Sequence, residues 1–169
     1  MRIIIGSDHK GYGLKEHIKA FLKELNYSIV DFGTNSDKPV DYPVYAKKVC
    51  NAIMKETGGV GILCCYTGIG MSIAANKVIG IRASLCEDME KAKLAKEHNN
   101  LNVLALGVIN YLTDGKLDPV KLSKCNDIVR TWLTTDFSNE VRHKRRLEQI
   151  LSIEVPNLYI EEKKQDKDF

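Results

Sequence analysis

The sequence predicts an α/β fold: a Rossmann-like three-layer sandwich with a five-stranded parallel sheet and C-terminal helices. Three observations carry this expectation. Short apolar runs recur at Arg2–Ile5, Ser28–Phe32, Val60–Cys65, Ile81–Cys86 and Leu101–Leu106. Segments with apolar residues at helical spacing separate them, which is the pattern of a parallel sheet with crossover helices. Glycine-bearing strings (Gly6-Ser7-Asp8-His9, Gly33-Thr34, Thr67-Gly68, Gly107) close four of the five runs, as strand exits require.

Taken in order, Leu14, Ile18, Phe21, Leu22 and Leu25 place a helix over Tyr12–Leu25. Asn35–Val40 reads as loop, and Pro43 suits the first turn of a helix reaching about Glu56. Gly58-Gly59 breaks that helix before the central strand, and a short helix is expected over Ile69–Lys77. Glu87–His98 reads as a helix with acidic residues in its first turn, as the helix dipole favours. Asp118-Pro119 opens another helix, with Val120, Ile128, Val129, Trp132 and Leu133 as its apolar positions, ending near Thr134–Asp136. A last helix is expected from Ser138 as its cap, through Val141, Leu147, Ile150 and Leu151, to Pro156. Right-handed crossovers would put all five strand exits on one edge. That edge would carry Asp8 and His9, Thr34, Cys65 and Thr67, Cys86, and Asn110.

The totals narrow the class. At 169 residues, 44% apolar and 28% charged, the chain suits one globular domain with a sizeable core. A net charge of +3 provides no strong field for nucleic acid. No apolar run approaches the roughly 18 residues of a membrane span, and no basic, apolar N-terminal signal is visible. Five cysteines at 50, 64, 65, 86 and 125 have no framework spacing, so a reduced, cytoplasmic location is expected. Adjacent Cys64 and Cys65 would face opposite sides of a strand.

The informative stretch is Gly61 to Lys77, an apolar strand ending on Cys65 and followed by Thr67-Gly68-Ile69-Gly70-Met71-Ser72. Cysteines in strands are ordinarily buried structural thiols. At a strand exit, before a loop whose amides can converge on one point, the same thiol can act chemically, since such donors stabilise a thiolate or a developing oxyanion. On that reasoning the loop amides would draw the Cys65 pKa down from about 8.5 towards neutrality. The dinucleotide pattern fails here, because Ile73 stands where a third glycine is needed, and nothing matches Walker A. Asp8-His9 is either an exposed turn or a second reactive pair. His98-Asn99-Asn100 is either a helix C-cap or a polar site. Arg142 and Arg146, four apart with His143 beside them, form either a solvated face or a fork for a phosphate.

Together these strings have a specific likeness. Gly6-Ser7-Asp8-His9-Lys10-Gly11, Asp41-Tyr42-Pro43, Cys65 to Lys77, Gly80-Ile81-Arg82-Ala83, His98-Asn99 and Arg142-His143-x-x-Arg146 resemble the type B ribose-5-phosphate isomerases. That family includes galactose-6-phosphate and allose-6-phosphate isomerases, and the likeness runs from Arg2 to about Ile153. It implies a sugar-phosphate isomerase domain over 1–155 and a charged tail over 156–169. It also implies aldose–ketose isomerisation through an enediolate with no metal or cofactor. By the resemblance, Cys65 is the base that moves the proton, while His98 and Asp8 assist opening of the furanose ring. Thr67 and the amides of Gly68, Ile69, Gly70, Met71 and Ser72 would hold the enediolate oxygen. His9, Arg142 and Arg146 would grip the phosphate, with Tyr42 and Asn99 lining the sugar. It implies a homodimer with shared active sites, in which His98 and the arginines serve the partner's Cys65. A small sugar phosphate is then the expected partner, with neither nucleic acid nor membrane.

Three positions depart from the family pattern: Tyr66 and Val141 stand where glycine is usual, and Asn110 where a basic residue is common. A positive φ at 66 would strain a tyrosine, and its ring would otherwise narrow or cover the sugar pocket. The resemblance keeps two alternatives in view, a hexose 6-phosphate isomerase and a non-catalytic sugar-phosphate sensor.

Overall fold

The computed structural model describes residues 1–55 and 59–155. Expectations falling on 56–58, including the end of the second helix, and on the tail 156–169 lie outside the described residues. The chain runs β1 (Arg2–Ser7), α1 (Tyr12–Glu24), β2 (Ser28–Asp31), α2 (Tyr42–Lys55), β3 (Val60–Cys65), α3 (Ile69–Ala75), β4 (Ala83–Leu85), α4 (Met89–Asn99) and β5 (Val103–Gly107). A 3-10 turn (Val108–Tyr111) and a two-stranded hairpin, β6 (Leu112–Thr113) and β7 (Lys116–Leu117), precede α5 (Pro119–Thr134) and α6 (Val141–Glu154).

Five parallel strands form one sheet in the order β2-β1-β3-β5-β4. The chain moves one way across the sheet from β1 to β2 and from β4 to β5, and the other way from β2 to β3 and from β3 to β4. Right-handed crossovers therefore send α1 and α4 to one face and α2 and α3 to the other. The two buried clusters follow that division. Ile3, Ile5, Ile62, Cys64, Leu104 and Leu106 pack with α1, α4 and α5, whereas Ile4, Leu63, Cys65 and Val103 pack with α2 and α3. Cys64 and Cys65 accordingly face opposite layers. Central strands buried on both faces read as continuous apolar runs, which explains why β1, β3 and β5 were plain in the sequence. The edge strands β2 and β4 are only half-buried.

Most elements match expectation, and the differences have local causes. The fourth strand is limited to Ala83–Leu85 because the Arg82 amide bonds the Asn102 side chain at 2.8 Å and its guanidinium bonds the Asn99 and Asn100 carbonyls. The short helix stops at Ala75, not Lys77, because Asn76 turns to bond both polar atoms of the Ala83 backbone. The last helix begins at Val141, because the Ser138 hydroxyl is committed to His143 at 2.6 Å. Val120 and Val141, expected as apolar contacts, are exposed at 72% and 82%. Asp118 does cap α5, accepting from the Val120 and Lys121 amides. Lys15 is buried at the β2 side of α1, its ammonium 2.6 Å from Asp31 and 2.8 Å from Glu16, as a buried charge needs.

Candidate active site

The chain reverses direction across the sheet between β1 and β3, and ligands of open α/β sheets bind outside the strand ends at such a point. Asp8 and Cys65 both stand there. Cys65 is 5% exposed, and its Sγ accepts the Gly68 amide at 3.1 Å. Gly68 has φ 79°, a left-handed turn that glycine adopts without strain. An added Cβ at 68 would also meet Leu85 Cδ1 at 2.6 Å and the Gly107 amide nitrogen at 3.0 Å. That turn swings the loop back so that amides of Met71, Gly68 and Thr67 act on the thiol.

The expected lowering of the Cys65 pKa is corrected by the structure. Burial pushes the thiol up, the three amides oppose it, and the Asp8 carboxylate adds to the rise, leaving the pKa above its ordinary value. Desolvation of a charge outweighs a few neutral donors in a site this enclosed. The oxyanion expectation also narrows. The Ser72 amide is spent in α3 on the Gly68 carbonyl at 3.1 Å, and the Ile69 amide on Thr67 Oγ1 at 3.3 Å. Gly70 lies in the first turn of α3, where the helix itself supplies no acceptor for its amide, and Thr67 Oγ1, though accepting, keeps its hydrogen to donate.

The surrounding groups are held from several elements. Asp8 is buried, with Oδ1 accepting the Gly11 amide at 2.8 Å. Gly11 is necessary there, because a Cβ would collide with the Cys64 carbonyl. His9 Nδ1 lies 3.2 Å from both the amide nitrogen and the carbonyl oxygen of Val40. Tyr42, the first residue of α2, lays its ring over Gly70, where a Cβ would stand 2.7 Å from Cζ. Tyr66 is not strained: among the described residues, positive φ outside glycine occurs at Asn26, Asn100, Asp114 and Asn139. Its carbonyl accepts the Ile109 amide at 3.0 Å, and the residue lines a hollow with Lys10, Val108 and the β6–β7 hairpin. Asn110 reaches Glu87 at 3.4 Å. Thr34 and Cys86, also expected at strand exits, are buried, with Thr34 bonded to the Ser36 backbone.

The remaining expected residues are elsewhere. Helix α4 starts at the exit of β4 and runs back some 16 Å over its 11 residues. His98 and Asn99 therefore lie by the starts of β4 and β5, where Arg82 bonds the Asn99 carbonyl at 3.1 Å. His98 stacks on His143 of α6, ring centroids 4.3 Å apart. Burial and the neighbouring His98 hold the His143 imidazole below its ordinary pKa. Arg142 is exposed and pairs with Glu140 at 2.7 Å, while Arg146 is exposed one turn further along. From Val60 to Cys65 the strand advances roughly 17 Å, so one chain keeps its thiol and its histidine–arginine cluster at opposite edges. His143 was not among the expected site residues. Its signal was the stripe His143, Leu147, Ile150, in which a histidine holds the most buried position.

An open parallel sheet with a buried thiol under convergent amides at its switch point defines an α/β enzyme acting on a small polar substrate. The model of the ribose/galactose isomerase family matches residues 3–150. The chain belongs to the ribose/galactose isomerase family. It is 40% identical to ribose-5-phosphate isomerase B of Escherichia coli over 153 residues, covering 90% of this chain and 96% of that protein. The solved structure of ribose-5-phosphate isomerase B from Clostridium thermocellum superposes with a TM-score of 0.82 at 44% identity, covering 91% of this chain and 97% of that one. The Thermotoga maritima structure of a ribose 5-phosphate isomerase gives 0.79 at 43% identity, covering 88% and 96%.

Proposed function

We propose that this protein interconverts ribose 5-phosphate and ribulose 5-phosphate by moving one proton between C2 and C1 through an enediolate. The observation that carries this reading is the Cys65 thiol set beneath the Thr67–Met71 loop at the sheet's switch point. A C–H beside a carbonyl is a weak acid, so a base must be paired with stabilisation of the oxyanion it creates. Cys65, as thiolate, takes the C2 proton of the open-chain aldose and returns it to C1, while the O2 hydroxyl proton passes to O1. The Thr67 hydroxyl and the Gly70 amide donate to the oxygen that gains charge, and the ring of Tyr42 walls the sugar. His98 and Asp8 assist ring opening, with Asn99 beside the sugar, and His9, Arg142 and Arg146 receive the phosphate.

These groups complete one site only when two copies meet, Cys65 and Asp8 from one and His98, Asn99, Arg142 and Arg146 from the other. The exposed Ile69 and Ile73, one turn apart on α3, and Ile79 just beyond it support a homodimer, since apolar side chains gathered on a surface mark contact sites. Five free cysteines support a reducing cytoplasm, and no described helix is long and apolar enough to cross a membrane. The hexose 6-phosphate and sensor readings are not favoured by relatives that are named ribose-5-phosphate isomerases. The test is Cys65→Ala: turnover of ribose 5-phosphate should fall about 10²–10⁴-fold with folding unchanged. In the unsubstituted protein the rate should rise with pH above neutrality, because a thiol with a raised pKa yields its thiolate only as pH climbs. Undiminished turnover in the alanine variant would refute the assignment.

A further inference from the structure

His98 is the next-to-last residue of α4, and among the described residues neither of its ring nitrogens makes a hydrogen bond. The helix fixes its Cβ but leaves the ring torsions to side-chain contact. One ring meets it, that of His143, at 4.3 Å between centroids and a tilt of 38°. His143 is 1% exposed, although Arg142, Lys144, Arg145 and Arg146 around it are all exposed. Its Nδ1 lies 2.6 Å from Ser138 Oγ, and that oxygen also accepts the Glu140 amide at 3.4 Å. A hydroxyl can accept from an amide and still share a hydrogen bond with a ring nitrogen, so Ser138 ties the Nδ1 edge of the His143 ring whichever of the two atoms donates. Ser138 is itself tied to α4, its amide donating to the Glu97 carbonyl at 2.9 Å. The result is a closed brace: α4 holds Ser138, Ser138 holds the His143 ring, and that ring faces His98.

We propose that His143 is a positioning residue for ring opening, holding the His98 imidazole in the orientation from which it works on the furanose. This rests on the role given to His98 above. A buried imidazole at the polar start of a helix makes little sense as apolar filling, since a leucine would bury more hydrocarbon and need no hydroxyl partner. The groups acting on His143 are His98 from α4, and Glu140, Arg142 and Arg146 from α6 and its cap. Burial and the surrounding cations together favour the neutral ring. A neutral ring sets no second charge against His98, which must itself gain and lose a proton.

Ring opening is needed only from the aldose side, and this separates positioning from general structural support. Ribose 5-phosphate is a furanose, whereas ribulose 5-phosphate, with its C5 oxygen esterified, stays open-chain. Two assays on the full chain use this difference. One follows conversion of ribose 5-phosphate; the other follows entry of solvent deuterium at C1 of ribulose 5-phosphate, which needs enolisation alone. Ser138→Ala should slow conversion about 3–10-fold, the worth of one hydrogen bond, and His143→Ala should slow it further, up to about 10²-fold. Deuterium exchange should be unchanged in both, and Ser138→Thr, which keeps a hydroxyl, should restore conversion. Equal losses in the two assays, or no loss of conversion, would overturn the inference while leaving the isomerase reading intact. An unsubstituted protein inert on both sugars would overturn the isomerase reading, and this inference with it.

Discussion

The two edges of the sheet differ in what they are made of. At the strand exits the groups are buried and held by backbone: Cys65 under the Gly68 amide at 3.1 Å and Asp8 under the Gly11 amide at 2.8 Å. At the strand starts they are cationic, and the arginines stand in solvent: Arg142 and Arg146 on α6, beside the braced pair His98 and His143. The first edge can move a proton in a water-poor pocket but brings only His9 of the three residues assigned to the phosphate. The second can hold a phosphate but has no thiol. In the proposed reading, chemistry that needs rigid, desolvated groups would fall where the sheet is densest, and recognition of a charged, solvated group on the outer turn of a late helix. In the proposed dimer the two edges would be completed by association, which would make dimerisation part of the active site.

That contrast predicts different signatures for damage at each edge. Replacing Arg142 and Arg146 together by alanine should raise KM for ribose 5-phosphate by about 10–100-fold, the loss of charge-assisted hydrogen bonds, with a smaller change in kcat. Steady-state kinetics check this, and a pure kcat effect would blur the division. Gly68→Ala should act at the other edge through the backbone. It forces a Cβ onto a residue at φ 79° and within 2.6 Å of Leu85 Cδ1, costing about 1–3 kcal/mol of stability, read as a lower thermal midpoint. Turnover should fall with it, because the loop amides lose their aim at Cys65. The smallest effect is expected from Tyr66→Gly. The tyrosine has an ordinary φ and lines the hollow beside Lys10, so KM for ribose 5-phosphate should change only slightly. A large change there would mean that this hollow is part of the sugar site.

The contrast also explains what could be read from sequence. Val60–Cys65 was legible as a strand to the residue because both of its faces are buried, leaving one continuous apolar run. The exit loop was legible because its glycines are needed, Gly68 for its φ and Gly70 for the ring of Tyr42. The short hairpin was missed, although Asp114-Gly115, at φ 50° and 75°, is a hairpin-turn signal; two-residue strands leave no period to detect. The thiol pKa was misjudged because sequence shows the donors but not the depth of burial. The residue pattern does not give the distance between Cys65 and His98 within one chain, because that distance depends on the direction in which α4 runs back from the strand exits; only the family resemblance implied that the two serve sites in different copies.

The most direct test of that division is complementation. Cys65→Ala and His98→Ala chains, each of low activity alone, are combined under conditions that exchange subunits. A mixed dimer would then hold one doubly damaged site and one site with Cys65 and His98 both present. Activity should return on mixing, with neither variant gaining when incubated by itself. Mixed dimers that form but remain as inactive as the separate variants would contradict a site built from both copies.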